Sequence, residues 1–266
     1  MIELAQVCAG YAHKQVLYDV SLCFAPQTVT CIVGPNGCGK TTLLSVAARL
    51  LPVQSGAVYL DGKPVQAYAP KAFAQQVAVL PQVRQVPQIP VAALVEHGRF
   101  PHQGFARRRT QRDAQIVQEA MQRMDIWALR HANTARLSGG ERQKAYLAML
   151  LAQDTQTMLL DEPTTFLDVH HQLELLGCIR QLAHEAGKAV GLVLHDLCQA
   201  LAVADTLCVL KQGRVAYLGA PEPLLQTSLL QQVFGVQVQR LQDAQGDWHY
   251  VCSPCRERGA APGAAQ

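Results

Sequence analysis

No long apolar run occurs in this sequence of 266 residues, although 49% of its residues are hydrophobic. A membrane-spanning helix needs about 18 or more consecutive apolar residues, and no stretch approaches that length. Residues 1–4 lack the basic and apolar regions of a signal peptide, so we expect none. A net charge of +3 is too small to indicate a nucleic-acid partner. These absences argue against a membrane-embedded, a secreted and a nucleic-acid-binding protein.

Residues 34–41 fit the glycine-rich phosphate loop G-x-x-x-x-G-K-[ST]. The apolar run at residues 29–33 predicts a buried strand before the loop, and residues 41–51 predict a helix after it. Lys40 is expected to assist catalysis by reaching the β- and γ-phosphates, and Thr41 is expected to bind Mg²⁺. The predicted nucleotide-binding residues of this segment are Gly34, Pro35, Asn36, Gly37, Cys38, Gly39, Lys40, Thr41 and Thr42.

The nine cysteines are odd in number and scattered. A disulfide at Cys31 or Cys38 would distort the predicted phosphate site, so we interpret the cysteines as reduced thiols of a cytoplasmic protein. Alkylation of Cys38 is predicted to block ATP hydrolysis, with ATP protecting. Cys252 and Cys255 have metal-ligand spacing, but no second such pair or nearby histidine pair completes a site. We interpret this pair as incidental, with metal binding as the alternative.

Two carboxylates follow the apolar run at residues 158–160, which predicts a strand inside a parallel sheet. Asp161 would then lie at the carboxyl end of the strand and hold Mg²⁺, partly through water. Glu162 would be the general base that activates the attacking water. The alternative is a helix-capping pair before Pro163.

His195 follows a second apolar run, at residues 189–194, and is therefore also expected at a strand end. A histidine at this edge could hydrogen-bond and orient the γ-phosphate. The alternative is a purely structural histidine.

Ser138, Gly139 and Gly140 precede a strong helical pattern at residues 141–152, with Ser138 as the expected N-cap. This helix start is expected to be a second anion site. One nucleotide cannot easily contact both this site and the phosphate loop of the same chain. The sequence has no internal repeat. We therefore predict a head-to-tail homodimer, in which each ATP lies between the phosphate loop of one subunit and Ser138-Gly139-Gly140 of the other.

Residues 137–143 read LSGGERQ and, together with the upstream phosphate loop, resemble the nucleotide-binding subunits of ATP-binding-cassette (ABC) transporters. The resemblance covers about residues 1–235. It implies an ATPase that uses ATP and Mg²⁺ and couples nucleotide-driven dimer closure to movement of a membrane channel.

The resemblance assigns roles to four further positions. It implies that Tyr11 stacks on adenine, that Gln82 links the Mg²⁺ site to the membrane partner, that Asp168 crosses the dimer interface, and that His195 acts as the switch histidine. Tyr11 could instead be a surface aromatic and Gln82 a polar loop residue. Asp168 could be the N-cap of the helix predicted at residues 169–173, or serve both purposes.

The predicted fold is α/β, with a phosphate-loop NTPase core built on a mainly parallel sheet. Residues 1–30 and 55–80 are expected to form an antiparallel β subdomain, and residues 84–150 a helical subdomain that carries the signature. The predicted domains are a cassette at residues 1–240 and a partly mobile C-terminal extension at residues 241–266.

The stretch Gly98-Arg99-Phe100-Pro101-His102 resembles importers of ferric siderophores, haem and cobalamin. Arg99 and His102 are expected to contact the permease, with a solvated loop as the alternative. The resemblance implies a peripheral subunit at the cytoplasmic face of the inner membrane. Its expected partners are transmembrane permease subunits and, indirectly, a substrate-binding protein, without nucleic acid. The alternatives are a soluble cassette ATPase of iron–sulfur cluster assembly and a nucleic-acid-linked cassette ATPase.

Overall fold

A six-stranded sheet lies at the centre of the molecule, with the strand order β10-β9-β3-β8-β7-β6. The structure is a computed structural model that describes residues 1–12, 14–82, 86–104, 109–244, 246 and 248–255. Neighbouring strands from β9 to β6 run parallel, and β10 is antiparallel to β9. The strands are β3 (Val29–Val33), β6 (Val77–Leu80), β7 (Thr157–Asp161), β8 (Ala189–Val193), β9 (Thr206–Lys211) and β10 (Arg214–Gly219).

The three strands β3, β7 and β8 are buried along their whole length, because elements pack on both faces of the sheet. Successive side chains of β3 enter different cores. Cys31 and Val33 join the core that contains the helical region, and Ile32 joins a second core with the helix at residues 40–47. The predicted strand at residues 158–160 inside a parallel sheet is confirmed.

A second, antiparallel sheet has the order β2-β1-β4-β5. Its strands are β1 (Ile2–Tyr11), β2 (Lys14–Phe24), β4 (Ser55–Leu60) and β5 (Lys63–Pro64). The predicted antiparallel segment at residues 55–80 is too long, because residues 77–80 form β6, which pairs in parallel with β7. An alternating or apolar pattern in so short a strand does not distinguish the two sheets.

The helices cover both faces of the central sheet, and α3, α4 and α5 pack against one another in the predicted helical region. No described helix is both long and apolar enough to span a membrane. The α-helices are α1 (Lys40–Ala47), α2 (Pro70–Ala74), α3 (Val91–Glu96), α4 (Gln111–Arg123), α5 (Gly139–Ala152), α6 (Val169–His184), α7 (Leu197–Val203), α8 (Pro221–Leu225) and α9 (Leu229–Phe234).

An antiparallel hairpin, β11 (Val236–Gln242) and β12 (Trp248–Pro254), follows α9 and packs on α7. The predicted boundary after residue 240 therefore falls inside a strand. The expected mobile tail at residues 256–266 lies outside the described residues, and the division into a cassette and an extension stays a prediction.

Arg99 lies inside the helical region and is 5% exposed, so the expectation that it contacts a permease is wrong. Its Nε donates to Asp113 Oδ1 at 2.9 Å, and its Nη1 donates to the carbonyl of Ala152 at 2.8 Å. The Thr110 hydroxyl, and then Arg99, lower the pKa of Asp113 to about 2. Arg99 thus joins α4 to the end of α5.

Gly98 and His102, on either side of Arg99, also contact the C-terminal end of α5. The imidazole Nε2 of His102 lies 2.8 Å from the carbonyl of Gln153. A Cβ atom on Gly98 would lie 2.2 Å from the carbonyl oxygen of Met149, so only glycine allows this close approach to α5. Gly98 and Arg99 of this stretch therefore pack within the helical region. Phe100 is half-exposed, and contact of His102 with a permease stays a prediction.

Replacing Arg99 with alanine is expected to reduce the free energy of unfolding by about 3–5 kcal/mol, because Asp113 would remain as a buried, uncompensated charge. Arg109→Ala is the control. Arg109 is half-exposed and lies 3.4 Å from Glu96, and an exposed pair of this kind is worth about 0–1 kcal/mol. Urea unfolding followed by circular dichroism measures both variants, and equal losses would contradict a structural role for Arg99.

Candidate functional site

The carboxyl ends of four neighbouring strands, β3, β8, β7 and β6, lie level at one edge of the central sheet. Ile32 is opposite Val193, Val193 is opposite Asp161, and Leu80 is opposite Leu160. This register brings the segments at the four strand ends side by side. The phosphate loop follows β3, His195 follows β8, Asp161 and Glu162 end β7, and Gln82 follows β6.

Glu162 is held by two side chains from neighbouring strand ends. The Nε2 of His195 lies 2.5 Å from Glu162 Oε1, and Gln82 Nε2 donates to Glu162 Oε2 at 3.1 Å. The side chain of Glu162 is 10% exposed, whereas that of His195 is 52% exposed. One carboxylate thus has a fixed orientation, with a histidine that faces solvent beside it.

The backbone of Glu162 adopts a left-handed conformation, with φ at 53°. Residues other than glycine rarely adopt it, at a cost of about 1–3 kcal/mol, and such strain is frequent at functional sites. The amide of Glu162 donates to the carbonyl of Val193 at 3.1 Å, which fixes this turn against β8.

Asp161 is buried beside the start of α1 and lines a cleft together with Thr41. Burial raises the pKa of its carboxyl group, and this effect outweighs the opposing effects of the Thr41 hydrogen bond and the Lys40 charge. Its Oδ1 atom is buried and accepts no hydrogen bond from the described residues. A buried carboxylate oxygen without a donor is suited to a cation.

Lys40 is 6% exposed and folds back over the loop that precedes it. Its ammonium group donates to the carbonyl of Gly34 at 2.8 Å and to that of Pro35 at 3.3 Å. The predicted residues 34–39 thus form the turn between β3 and α1, and Lys40, Thr41 and Thr42 form the first turn of α1. Their binding of a nucleotide stays a prediction. Helix α1 ends at Ala47, earlier than the predicted residue 51, because Arg49 takes a left-handed conformation.

Gly213, between β9 and β10, supports the phosphate loop although no motif points to it. Its amide donates to the carbonyl of Cys38 at 3.0 Å, and its carbonyl accepts from the amide of Tyr18 at 2.8 Å. A Cβ atom on Gly213 would lie 1.9 Å from the carbonyl oxygen of Val16. Gly213 therefore joins the phosphate loop to β2 of the antiparallel sheet.

The thiol of Cys38 points into the core beside the loop and is 5% exposed. Burial raises the pKa of this thiol. Thiolates, not thiols, react with alkylating agents. Burial and the raised pKa both slow alkylation of Cys38 from solvent, and the predicted block of ATP hydrolysis by alkylation stays a prediction.

Ser138 is the N-cap of α5, as predicted. Its hydroxyl accepts from the amide of Glu141 at 3.2 Å, and the Glu141 carboxylate accepts from the amide of Ser138 at 2.9 Å. Gln143, for which no role was predicted, donates to the carbonyl of Pro163 at 2.8 Å. The signature helix is thereby joined to the turn that carries Glu162.

Two clefts open at this edge, and both are lined in part by Pro81, Gln82 and Asp161. Thr41 lines one and Glu162 the other. Neither is lined by Ser138, Gly139 or Gly140. The two anion sites predicted from the sequence therefore do not share either cleft within one chain.

The family model described as "ABC transporter" matches residues 17–165. This chain belongs to the ABC transporter family. As a member of it, the chain is an ATPase whose hydrolysis is coupled to transport.

Similar proteins are ATP-binding subunits. The ferric enterobactin transport ATP-binding protein FepC of Escherichia coli (strain K12) is 40% identical over 90% of this chain and 88% of its own length. The petrobactin import ATP-binding protein FpuC of Bacillus anthracis is 38% identical over 92% of this chain and 90% of its own. The hemin import ATP-binding protein HmuV of Pseudomonas putida (strain KT2440) is 40% identical over 89% of this chain and 92% of its own length.

Solved structures share the fold at lower identity. The dimeric bacterial ABC transporter cassette MJ0796 superposes with a TM-score of 0.75 at 23% identity, over 84% of this chain and 99% of that one. Clostridium perfringens cbiO1, part of the ABC transporter complex cbiONQ, superposes with a TM-score of 0.74 at 24% identity, over 87% of this chain and 92% of that one. The predicted α/β cassette fold is confirmed.

Two predicted positions of the cassette, Tyr11 and Asp168, line neither of the two clefts at the edge of the central sheet. Tyr11 ends β1 and is half-exposed. Asp168 caps α6 by accepting from the amide of His171 at 3.0 Å, and it also pairs with the His171 ring. These hydrogen bonds, first the one from the His171 amide, lower the pKa of Asp168. The N-cap is confirmed, and the roles in base stacking and across a dimer stay predictions.

No group of three or more His, Cys, Asp and Glu side chains within the described ranges could hold a metal ion. Thr41 and Gln82 line one cleft together with Asp161 and offer a hydroxyl and an amide oxygen as further ligands.

Gly213→Ala is expected to destabilise the cassette and weaken ATP binding, because the new Cβ atom would push β2 away from the phosphate loop. Gly62→Ala is a matched control, since both glycines have φ at 75° and nothing lies within 4 Å of a Cβ atom on Gly62. Backbone strain alone costs about 1–2 kcal/mol. The clash adds about 1–3 kcal/mol at Gly213.

Urea unfolding and ATP titration of both variants measure the difference. Equal losses of stability would contradict the supporting role of Gly213.

Proposed function

We propose that this chain is the ATP-hydrolysing subunit of an importer for an iron chelate, either a ferric siderophore or haem. The observation that carries the proposal is the placement of Glu162 at the end of β7, between Gln82 and His195 and beside a phosphate loop. The relatives described above are named for ferric enterobactin, petrobactin and hemin, which favours an iron chelate over cobalamin.

In this proposal Glu162 is the general base. A water between its carboxylate and the γ-phosphate would be deprotonated as it attacks. Gln82 and His195 orient the carboxylate, so little reorganisation is needed at the moment of reaction. The exposed face of His195 can also hydrogen-bond the γ-phosphate. Lys40, released from its loop carbonyls by the nucleotide, would stabilise the charge on the β- and γ-phosphates.

We further propose a Mg²⁺ site at Asp161, Thr41 and Gln82. These residues line one cleft, and the Asp161 oxygen without a donor fits an oxygen-preferring cation. When bound, Mg²⁺ neutralises charge on the β- and γ-phosphate oxygens. Asp161 and Thr41, in the first turn of α1, thus face the same cleft.

A dimer of two chains would complete each nucleotide site. Ser138, Gly139 and Gly140 present helix N–H groups that can bind the γ-phosphate on the partner subunit's phosphate loop. Asp168, next to the exposed Phe166, would lie in the seam between the subunits. The exposed ring of Tyr11 would stack on adenine.

The proposed partners are two permease subunits, and through them a substrate-binding protein, with the cassette bound peripherally at the cytoplasmic face of the inner membrane. Gln82 would transmit nucleotide binding to the permease. A soluble cassette of iron–sulfur cluster assembly and a nucleic-acid-linked cassette are the less favoured functions, because the relatives named above are transport and import proteins.

Glu162→Gln is expected to retain ATP binding and to lower ATP turnover by about 10²–10⁴-fold, since the amide cannot accept the proton. Uptake of a radiolabelled iron chelate by proteoliposomes that contain the permease and the cassette should fall in parallel. The exposed Glu119→Gln change on α4 is the control and should alter neither.

Near-normal turnover of the Glu162 variant would remove the residue from the base role. Turnover-dependent uptake of cobalamin but of no iron chelate would overturn the proposed cargo.

A further inference from the structure

The C-terminal hairpin covers the helix that follows His195. Strand β12 packs on α7, which begins at Leu197, two residues after that histidine. Val238 and Tyr250 of the hairpin pack against the main core. The hairpin is therefore fixed to the cassette beside the segment that carries a predicted catalytic residue.

Two thiols meet where the hairpin crosses α7. The sulfur of Cys198, in the first turn of α7, lies 3.1 Å from that of Cys252 on β12, although 54 residues separate them in sequence. That is about 1 Å longer than a disulfide bond. Cys252 is exposed and Cys198 is partly exposed, so a small oxidant can reach both sulfurs.

We propose that Cys198 and Cys252 form a reversible disulfide, a redox-controlled covalent link between the hairpin and the helix that follows His195. Both residues lie on elements that pack together in the reduced protein, so the bond needs no rearrangement of the fold. Disulfides in proteins of reducing compartments are typically transient and redox-sensing.

The chemistry needs a two-electron oxidant such as a low-molecular-weight disulfide. The thiolate of one of the two cysteines attacks this disulfide, forms a mixed disulfide and releases one thiol. The other cysteine then gives up its proton and attacks the protein sulfur of the mixed disulfide, which releases the second thiol. Two protein thiols are oxidised, and one small disulfide is reduced to two thiols.

Either sulfur can make the first attack, because the two thiols lie in direct contact. Burial, followed by the hydrogen bond with Cys198, raises the pKa of Cys252.

The other cysteines are less suited to this reaction. Cys31 and Cys208 are buried in the core, and burial raises the pKa of both thiols. Among the described residues, Cys198 and Cys252 are the two cysteines whose sulfurs lie in hydrogen-bond contact. Cys255 shares the C-x-x-C spacing with Cys252 but lies beyond the end of β12, where its backbone amide donates to the carbonyl of Gly235 at 3.1 Å.

The link would restrain the His195 segment. Asp196 caps α7 through the amide of Gln199 at 3.0 Å, and the Gln199 side chain donates to Gln172 of α6 at 2.7 Å. A bond at Cys198 therefore fixes the first turn of a helix that is already joined to α6. ATP turnover by the oxidised protein should fall if the His195 segment moves during the cycle.

The full chain is incubated in buffers of defined ratios of reduced to oxidised glutathione and is then digested without reduction. Mass spectrometry should show a Cys198–Cys252 cross-linked peptide, and Tm should rise by several degrees. Cys252→Ser should lose the cross-link and the rise in Tm, whereas Cys255→Ser should keep both. Oxidised glutathione should lower ATP turnover of the wild type about two-fold or more, reversibly with dithiothreitol, and should leave the Cys252 variant unchanged.

A Cys252–Cys255 bond, or glutathione adducts alone, would overturn the proposed disulfide. A Cys198–Cys252 bond that leaves turnover unchanged would overturn its control of the His195 segment. The peptide mapping requires neither a permease nor a cargo, so its failure is distinguishable from failure of the proposed transport function.

Discussion

The alignment of parallel strands is the constraint on which the site depends. Strands β3, β8, β7 and β6 end level with one another, so a phosphate loop, a histidine, two carboxylates and a glutamine meet at one edge although they are distant in sequence. Each strand is a short apolar run that becomes buried on both faces, and the first polar residues after it are left at the edge. The position of the polar residues at this edge is therefore set by the residue at which each apolar run ends.

The support around this edge includes backbone contacts to which no motif points, together with a side chain of the signature helix. Gly213 joins the phosphate loop to β2, and the Glu162 turn is held by a carbonyl of β8. Gln143 reaches from the signature helix to Pro163, which follows Glu162 directly. A rigid setting of this kind keeps Glu162 in a strained conformation that an isolated turn would relax.

Local patterns were enough to predict the phosphate loop, the strand ends at Asp161 and His195, and the caps at Ser138 and Asp168. Each of these predictions depends on only a few adjacent residues. A glycine-rich loop, a polar residue after an apolar run and a capping side chain each favour one position relative to a strand or helix. Family resemblance, rather than pattern, indicated Gln82, and the structure places it against Glu162.

Tertiary contacts were beyond that kind of inference. No motif points to the proximity of Gly213 and Cys38, or to that of Cys198 and Cys252, because the partners are far apart in sequence. Arg99 was misinterpreted for a related reason. A charged residue usually lies at the surface, and only the position of Asp113 on α4 explains its burial.

The central claim is that each ATP site is shared by two chains, with Lys40 of one and Ser138 of the other. The most direct test mixes two inactive variants, Lys40→Ala and Ser138→Arg, after circular dichroism has shown both to be folded. Mixing should restore about a quarter of wild-type ATP turnover, because half of randomly assembled dimers carry one intact site of two. Turnover that stays at the level of the separate variants, although mixed dimers form, would contradict it.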